Sequence, residues 1–170
     1  MQYDSRHSEA PKPIEPTGFF TGIQFRPVII GVMLDTIATY VLGALYFTFA
    51  VAKGAGTNED AIAAYWLTSD GLMASLLLGS LGTAMGGFYA GYKASRLEMK
   101  HGGLVAIGSI VLGLLMQLGE SESELPEWFI GLSLTAAIPA GVLGGFLAEI
   151  FRSVTSGGRS SSSPNRPGSN

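Results

Sequence analysis

The sequence predicts an all-α protein, a four-helix transmembrane bundle with both termini cytoplasmic. Three observations lead there. Four apolar stretches, each suited to a hydrocarbon core of roughly 30 Å, alternate with short polar segments. The 170-residue chain is 47% hydrophobic and only 14% charged, which points to lipid as the solvent. Finally, Arg6, Lys12, Arg26, Lys93, Arg96, Lys100, Arg152, Arg159 and Arg166 fall on one side of the bundle and Lys53 alone on the other. Positive charge is retained on the cytoplasmic face, so this bias sets the orientation.

The elements follow in order. Residues 1–26 read as a cytoplasmic tail, because Pro11, Pro13 and Pro16 oppose a long helix and the basic start of a secretory signal is missing. Phe19, Phe20, Ile23 and Phe25 either lie along the membrane surface or belong to a flexible leader with a few interfacial aromatics. The membrane domain is 27–152, with spans at about 28–52, 71–92, 102–118 and 128–151. Pro27 fits the first helical turn. After span one, Ala61 to Leu67 reads as a short surface helix with Tyr65 and Trp66 as interfacial anchors. Ser69 or Asp70 is expected to cap span two. Span three is the shortest. The loop after it carries Glu120, Glu122, Glu124 and Glu127, and Trp128 and Phe129 anchor span four, which Pro139 should kink. The serine- and glycine-rich segment 153–170 is expected to be a disordered cytoplasmic tail.

The stretch LLLGSLGTAMGGFYAGYKASRLEMKHGG, residues 76–103, organises the rest. Its glycines, Gly79, Gly82, Gly86, Gly87 and Gly91, would each weaken a helix in water by roughly 1 kcal/mol relative to alanine. In lipid, small residues let helices approach closely. Gly79, Gly86 and Gly87 in span two, and Gly141, Gly144 and Gly145 in span four, are therefore the expected packing positions. Span two ends GGFYAGYK and span four GGFLAEIFR, either an internal repeat of two hairpins or a chance likeness of glycine-rich helices.

Within Gly86 to Leu115 the chain carries Gly86, Gly87, Phe88 and Ala90, then Lys93, Arg96 and Lys100, then His101 and Gly102. In this it resembles a group of small bacterial four-helix membrane proteins of unknown function. The resemblance implies the four-span architecture and a bacterial inner-membrane location, and it brings no activity.

Asp35 is the one ionisable side chain deep inside a span. A charge at the bilayer centre costs at least about 2.5–3.5 kcal/mol, so an intramembrane acid suggests a role. Gly31, Ala38, Thr39 and Gly43 share its face, which directs it toward other helices. Counting depth at 1.5 Å per residue places Thr83, Ser109 and the Gly141–Gly144 stretch at about its level. The expectation is a polar layer in which a neutral Asp35 donates to Thr83, Ser109 or a carbonyl. Such a layer serves either as interhelical glue or as a proton or cation relay.

Other chemistry is sparse. With no cysteine, disulfides, thiolate metal sites and cysteine nucleophiles are excluded. His7 and His101 are single histidines without a second ligand at metal spacing. No nucleophile–base set points to an enzyme, and no cofactor motif stands in a suitable context. Glu149 and Arg152 are spaced to pair at a helix end. The expected partners are the bilayer itself, with anionic lipids at the basic face, and a second copy or another membrane protein; nucleic acid is not expected. Four short helices offer little room for a substrate path. The sequence therefore favours a non-catalytic scaffold or accessory subunit over the alternative, a small oligomeric transporter or channel using Asp35 as a proton or cation site.

Overall fold

Four apolar helices and one short polar one make up the computed structural model, which describes residues 21–55, 58–94, 96–118 and 125–157. Most of both tails and the acidic positions Glu120, Glu122 and Glu124 lie outside the described residues. Helix α1 is Phe25–Tyr46, continued by a π-helical turn, Phe47–Val51, and one α-turn, Ala52–Ala55. Helix α2 is Glu59–Trp66, α3 is Ser69–Lys93, α4 is Glu98–Gln117 and α5 is Glu127–Gly157. There is no strand among the described residues. The segments Phe25–Val51, Ser69–Lys93, Glu98–Met116 and Glu127–Thr155 are long and apolar enough to cross a membrane.

Local chemistry sets the ends of these helices, and several differ from expectation. Thr68, not Ser69 or Asp70, caps α3: its hydroxyl accepts from the Gly71 N–H at 3.1 Å. The chain turns so sharply there that a Cβ on Gly71 would lie 2.2 Å from the Tyr65 carbonyl oxygen. Asn58 caps α2 by accepting from the Ala61 N–H at 2.8 Å. Helix α4 starts four residues before the expected Gly102, because Leu97 takes a left-handed conformation (φ 61°) that turns the chain directly into the helix. Helix α5 continues past the expected end at Phe151 to Gly157, so the start of the assigned C-terminal tail is helical. Pro139 lies inside α5 and withholds one N–H from the Thr135 carbonyl, yet the helix is continuous across it.

The four long helices alternate in direction. Helices α3 and α4 each pack on both α1 and α5, whereas α1 and α5 do not touch among the described residues. One end of the bundle carries Lys93, Arg96, Lys100 and Arg152; the other carries the aromatic cluster Tyr46, Phe47, Tyr65 and Trp66. The outer faces expose Ile29, Met33, Ile37, Leu77, Leu143 and Leu147. Apolar surface of that extent suits lipid rather than water.

Packing divides the bundle into two unlike halves. In the basic half the glycines bring main chains into contact. A Cβ on Gly86 would lie 2.4 Å from the Gly31 carbonyl oxygen, one on Gly87 2.5 Å from that of Gly141, and one on Gly144 2.1 Å from that of Ala84. Gly141 meets Gly102, and Gly145 meets Glu98, in the same way. Val28, Ala90 and Val105 form the buried cluster beside them. In the other half a Cβ on Gly43, Gly79, Gly113 or Gly131 would meet nothing within 4 Å. Gly79, expected as a helix-packing position, makes no close helix contact: a methyl group there would meet open space.

Two polar contacts lock the basic end. Arg152 pairs with Glu98 of α4, not with Glu149 of its own helix, and also donates to the carbonyls of Gly91 at 2.9 Å and Tyr92 at 2.7 Å. One guanidinium fork thereby ties α5 to α4 and to the carbonyls ending α3. His101, fully buried, accepts from the Gln24 N–H through Nε2 at 3.0 Å. Because a backbone amide can only donate, Nε2 is unprotonated, and Nδ1–H donates to the Leu97 carbonyl at 2.9 Å.

Candidate functional site

Asp35 sits on α1 near the junction of the tight and open halves. It is only 4% exposed. Two glycines of α3 make its seat: a Cβ on Gly82 would lie 3.0 Å from Asp35 Oδ1, and one on Gly86 3.0 Å from Asp35 Cβ. Without side chains at these positions, α3 lies close enough for its own hydroxyl to reach the acid.

Three hydroxyls converge on the carboxyl group. Thr83 of α3 lies 3.1 Å from Oδ2 and 3.3 Å from Oδ1. Thr39, one turn further along α1, lies 3.3 Å from Oδ1, and Ser109 of α4 donates to Oδ2. The structure therefore brings Asp35, Thr83 and Ser109 together. Gly141 and Gly144 pack beside Thr83, on Gly87, Ala84 and Gly102, rather than on the carboxyl group. Asp35 has no cationic partner among the described residues.

A cavity of about 240 Å3 adjoins this cluster. It extends from Asp35 into the open half, where α3, α4 and α5 supply Ser75, Ser80, Gly113 and Ser133 to its wall and Leu125 and Phe129 lie toward the end. Its space comes from the positions where glycine meets no neighbour, Gly79 and Gly113 among them. On the opposite side of Asp35, the Gly31–Gly86 contact and the Val28–Ala90–Val105 cluster close the bundle.

The hydroxyls hydrogen-bond directly to the carboxyl oxygens. No group of three or more His, Cys, Asp or Glu side chains that could hold a metal occurs among the described residues.

Reading the sequence alone missed the roles of Gly82, Ser75 and Ser133. Gly82 carried a usable signal, lying next to Thr83 and four residues before Gly86 on the face that meets α1. The serines carried none, since single hydroxyls are common in apolar helices. No protein-family model, no curated protein and no solved structure matches the chain, so the geometry around Asp35 stands as the ground for a functional reading.

Proposed function

We propose that this protein is a small multi-pass membrane protein, working as a transporter or channel in which Asp35 takes up and releases a proton. The cavity beside Asp35 carries this reading. An acid that only fastened helices would need no space next to it. Energetics agree: interhelical hydrogen bonds average about 0.6 kcal/mol each, so the two from other helices, Thr83 and Ser109, recover less than the roughly 2.5–3.5 kcal/mol that a mid-span aspartate costs.

In this reading the basic end lies at the cytoplasmic face of a bacterial inner membrane, with both termini on that side. The distribution of Lys and Arg supports it. The cavity then faces the opposite compartment, and the glycine-packed half forms the barrier.

The test is proton flux into proteoliposomes carrying a pH-sensitive dye. Wild type should acidify them under an imposed gradient, and Asp35→Asn should abolish the flux. Equal flux in the two proteins would overturn the proposal. A second reading, a non-catalytic scaffold or accessory subunit, is favoured by the outer faces of α1 and α5, which leave Ile29, Met33, Leu143 and Leu147 uncovered for a partner helix. Cross-linking in native membranes that captures one recurrent heterologous protein would support it.

A further inference from the structure

A second cleft, at the basic end, has a different chemistry. About 490 Å3 in volume, it lies between the start of α1 and the end of α3. Arg26 and Ile30 stand one turn apart on α1; Tyr89 and Lys93 stand one turn apart on α3; all four line it, and no acidic residue does. Arg26 makes no ion pair among the described residues. Lys93 Nζ lies 5.9 Å from the Tyr92 ring centroid, a weak exposed contact that leaves the ammonium available. The cleft combines two cations and a phenol with apolar side chains, Phe25, Pro27 and Ile30.

The wall of the cleft is fixed from behind. Gln24, which also lines it, is held by the buried His101 through its backbone N–H. That hydrogen bond fixes the start of α1 to α4, and the Gly31–Gly86 contact holds α1 against α3.

We propose that this cleft binds one anionic phospholipid, with the headgroup phosphate between Arg26 and Lys93 and an acyl chain along Ile30. A phosphate oxygen set matches two cationic donors and a phenol, and the apolar side chains beside them match an acyl chain. A free phosphate would use the cations but not the apolar lining. The inference goes beyond a general attraction of basic residues to an anionic leaflet, because it assigns two of the cations and excludes a third, Arg96. It does not depend on proton binding at Asp35.

The experiment is native mass spectrometry of the full chain released from nanodiscs of phosphatidylcholine and phosphatidylglycerol. Wild type should retain one phosphatidylglycerol in preference to phosphatidylcholine. The double variant Arg26→Gln/Lys93→Gln should lose that retention at least about tenfold, the effect of removing charge-assisted phosphate contacts, and Arg26→Lys/Lys93→Arg should restore most of it. Arg96→Gln, which removes charge from the same end, should retain lipid as wild type does, as should wild type in excess inorganic phosphate. Equal loss in Arg96→Gln would overturn the cleft in favour of a diffuse surface field. Displacement by inorganic phosphate would overturn the lipid in favour of a soluble anion, and wild type without preference would overturn the site altogether.

Discussion

The Thr83 hydroxyl stands 3.1 Å from Asp35 Oδ2 and 3.0 Å from the carbonyl oxygen of Gly79, and it has one proton to give. If Asp35 is ionised, Thr83 donates to it and leaves the Gly79 carbonyl to its helical partner. If Asp35 is protonated, it can donate to Thr83, whose own proton then turns to Gly79. Protonation of the acid and rotation of the hydroxyl are thus one event, on a helix whose next turn begins the close packing.

Replacing Thr83 by valine keeps the volume and removes this exchange. The carboxyl infrared band of Asp35 should shift in Thr83→Val, and thermal stability in detergent should fall by about 0.6–2 kcal/mol, the range for one interhelical hydrogen bond. An unchanged band would mean that Thr83 takes no part in the protonation of Asp35.

The unlike halves of the bundle predict unlike tolerance to one methyl group. Gly144→Ala and Gly86→Ala place a Cβ 2.1 Å and 2.4 Å from a carbonyl oxygen and should force helices apart, at about 1–3 kcal/mol each. Gly79→Ala meets nothing and should melt within about 0.5 kcal/mol of wild type. Melting curves of the three variants in one detergent are the check.

Arg152→Ala leaves Glu98 unpaired and returns the Gly91 and Tyr92 carbonyls to whatever water can reach them. Loss of hydrogen bonds to a charged group should cost about 1.5–3 kcal/mol, read from melting in detergent. Arg152→Lys should recover little, since an ammonium lacks the planar fork that serves four acceptors at once, Glu98 and the carbonyls of Gly91, Tyr92 and Ala94. Glu149→Gln, on the same helix, should have no comparable effect.

At the other end, the hydroxyls of Tyr46 and Tyr65 lie 2.9 Å apart. That hydrogen bond, with smaller contributions from desolvation and from the charges of Tyr46 and Asp70, pushes the Tyr65 phenol up to about 12. A raised phenol stabilises the fold while protonated. Its contribution should be complete below about pH 10, the ordinary tyrosine value, and should disappear as pH rises through about 12. Tyrosinate absorbance should show a titration near pH 12 in wild type that is missing from Tyr65→Phe.

Depth counting makes much of this legible. A helix rises by a fixed amount per residue, so from the span boundaries Thr83 and Ser109 follow from Asp35 by arithmetic. Rotation about the helix axis is less well determined by sequence. Arg152 has an acid three residues away on its own helix, yet it turns to Glu98, because close glycine packing brings α4 within its reach. The burial of His101 is not legible in the sequence, where it stands beside a basic loop; the left-handed turn at Leu97 starts the helix early and carries the imidazole inward. The cavity has no signature in the sequence, since it arises where small residues meet no neighbour, and a glycine that packs reads the same as one that does not.

Main chain touching main chain, as at Gly86 and Gly31 or Gly144 and Ala84, leaves no slack to be yielded by degrees. Side-chain gates can loosen rotamer by rotamer; a seam made of peptide groups is either shut or parted. For a protein working through Asp35 as proposed, passage beyond that residue would then be an all-or-none event, with no intermediate conductance open to it.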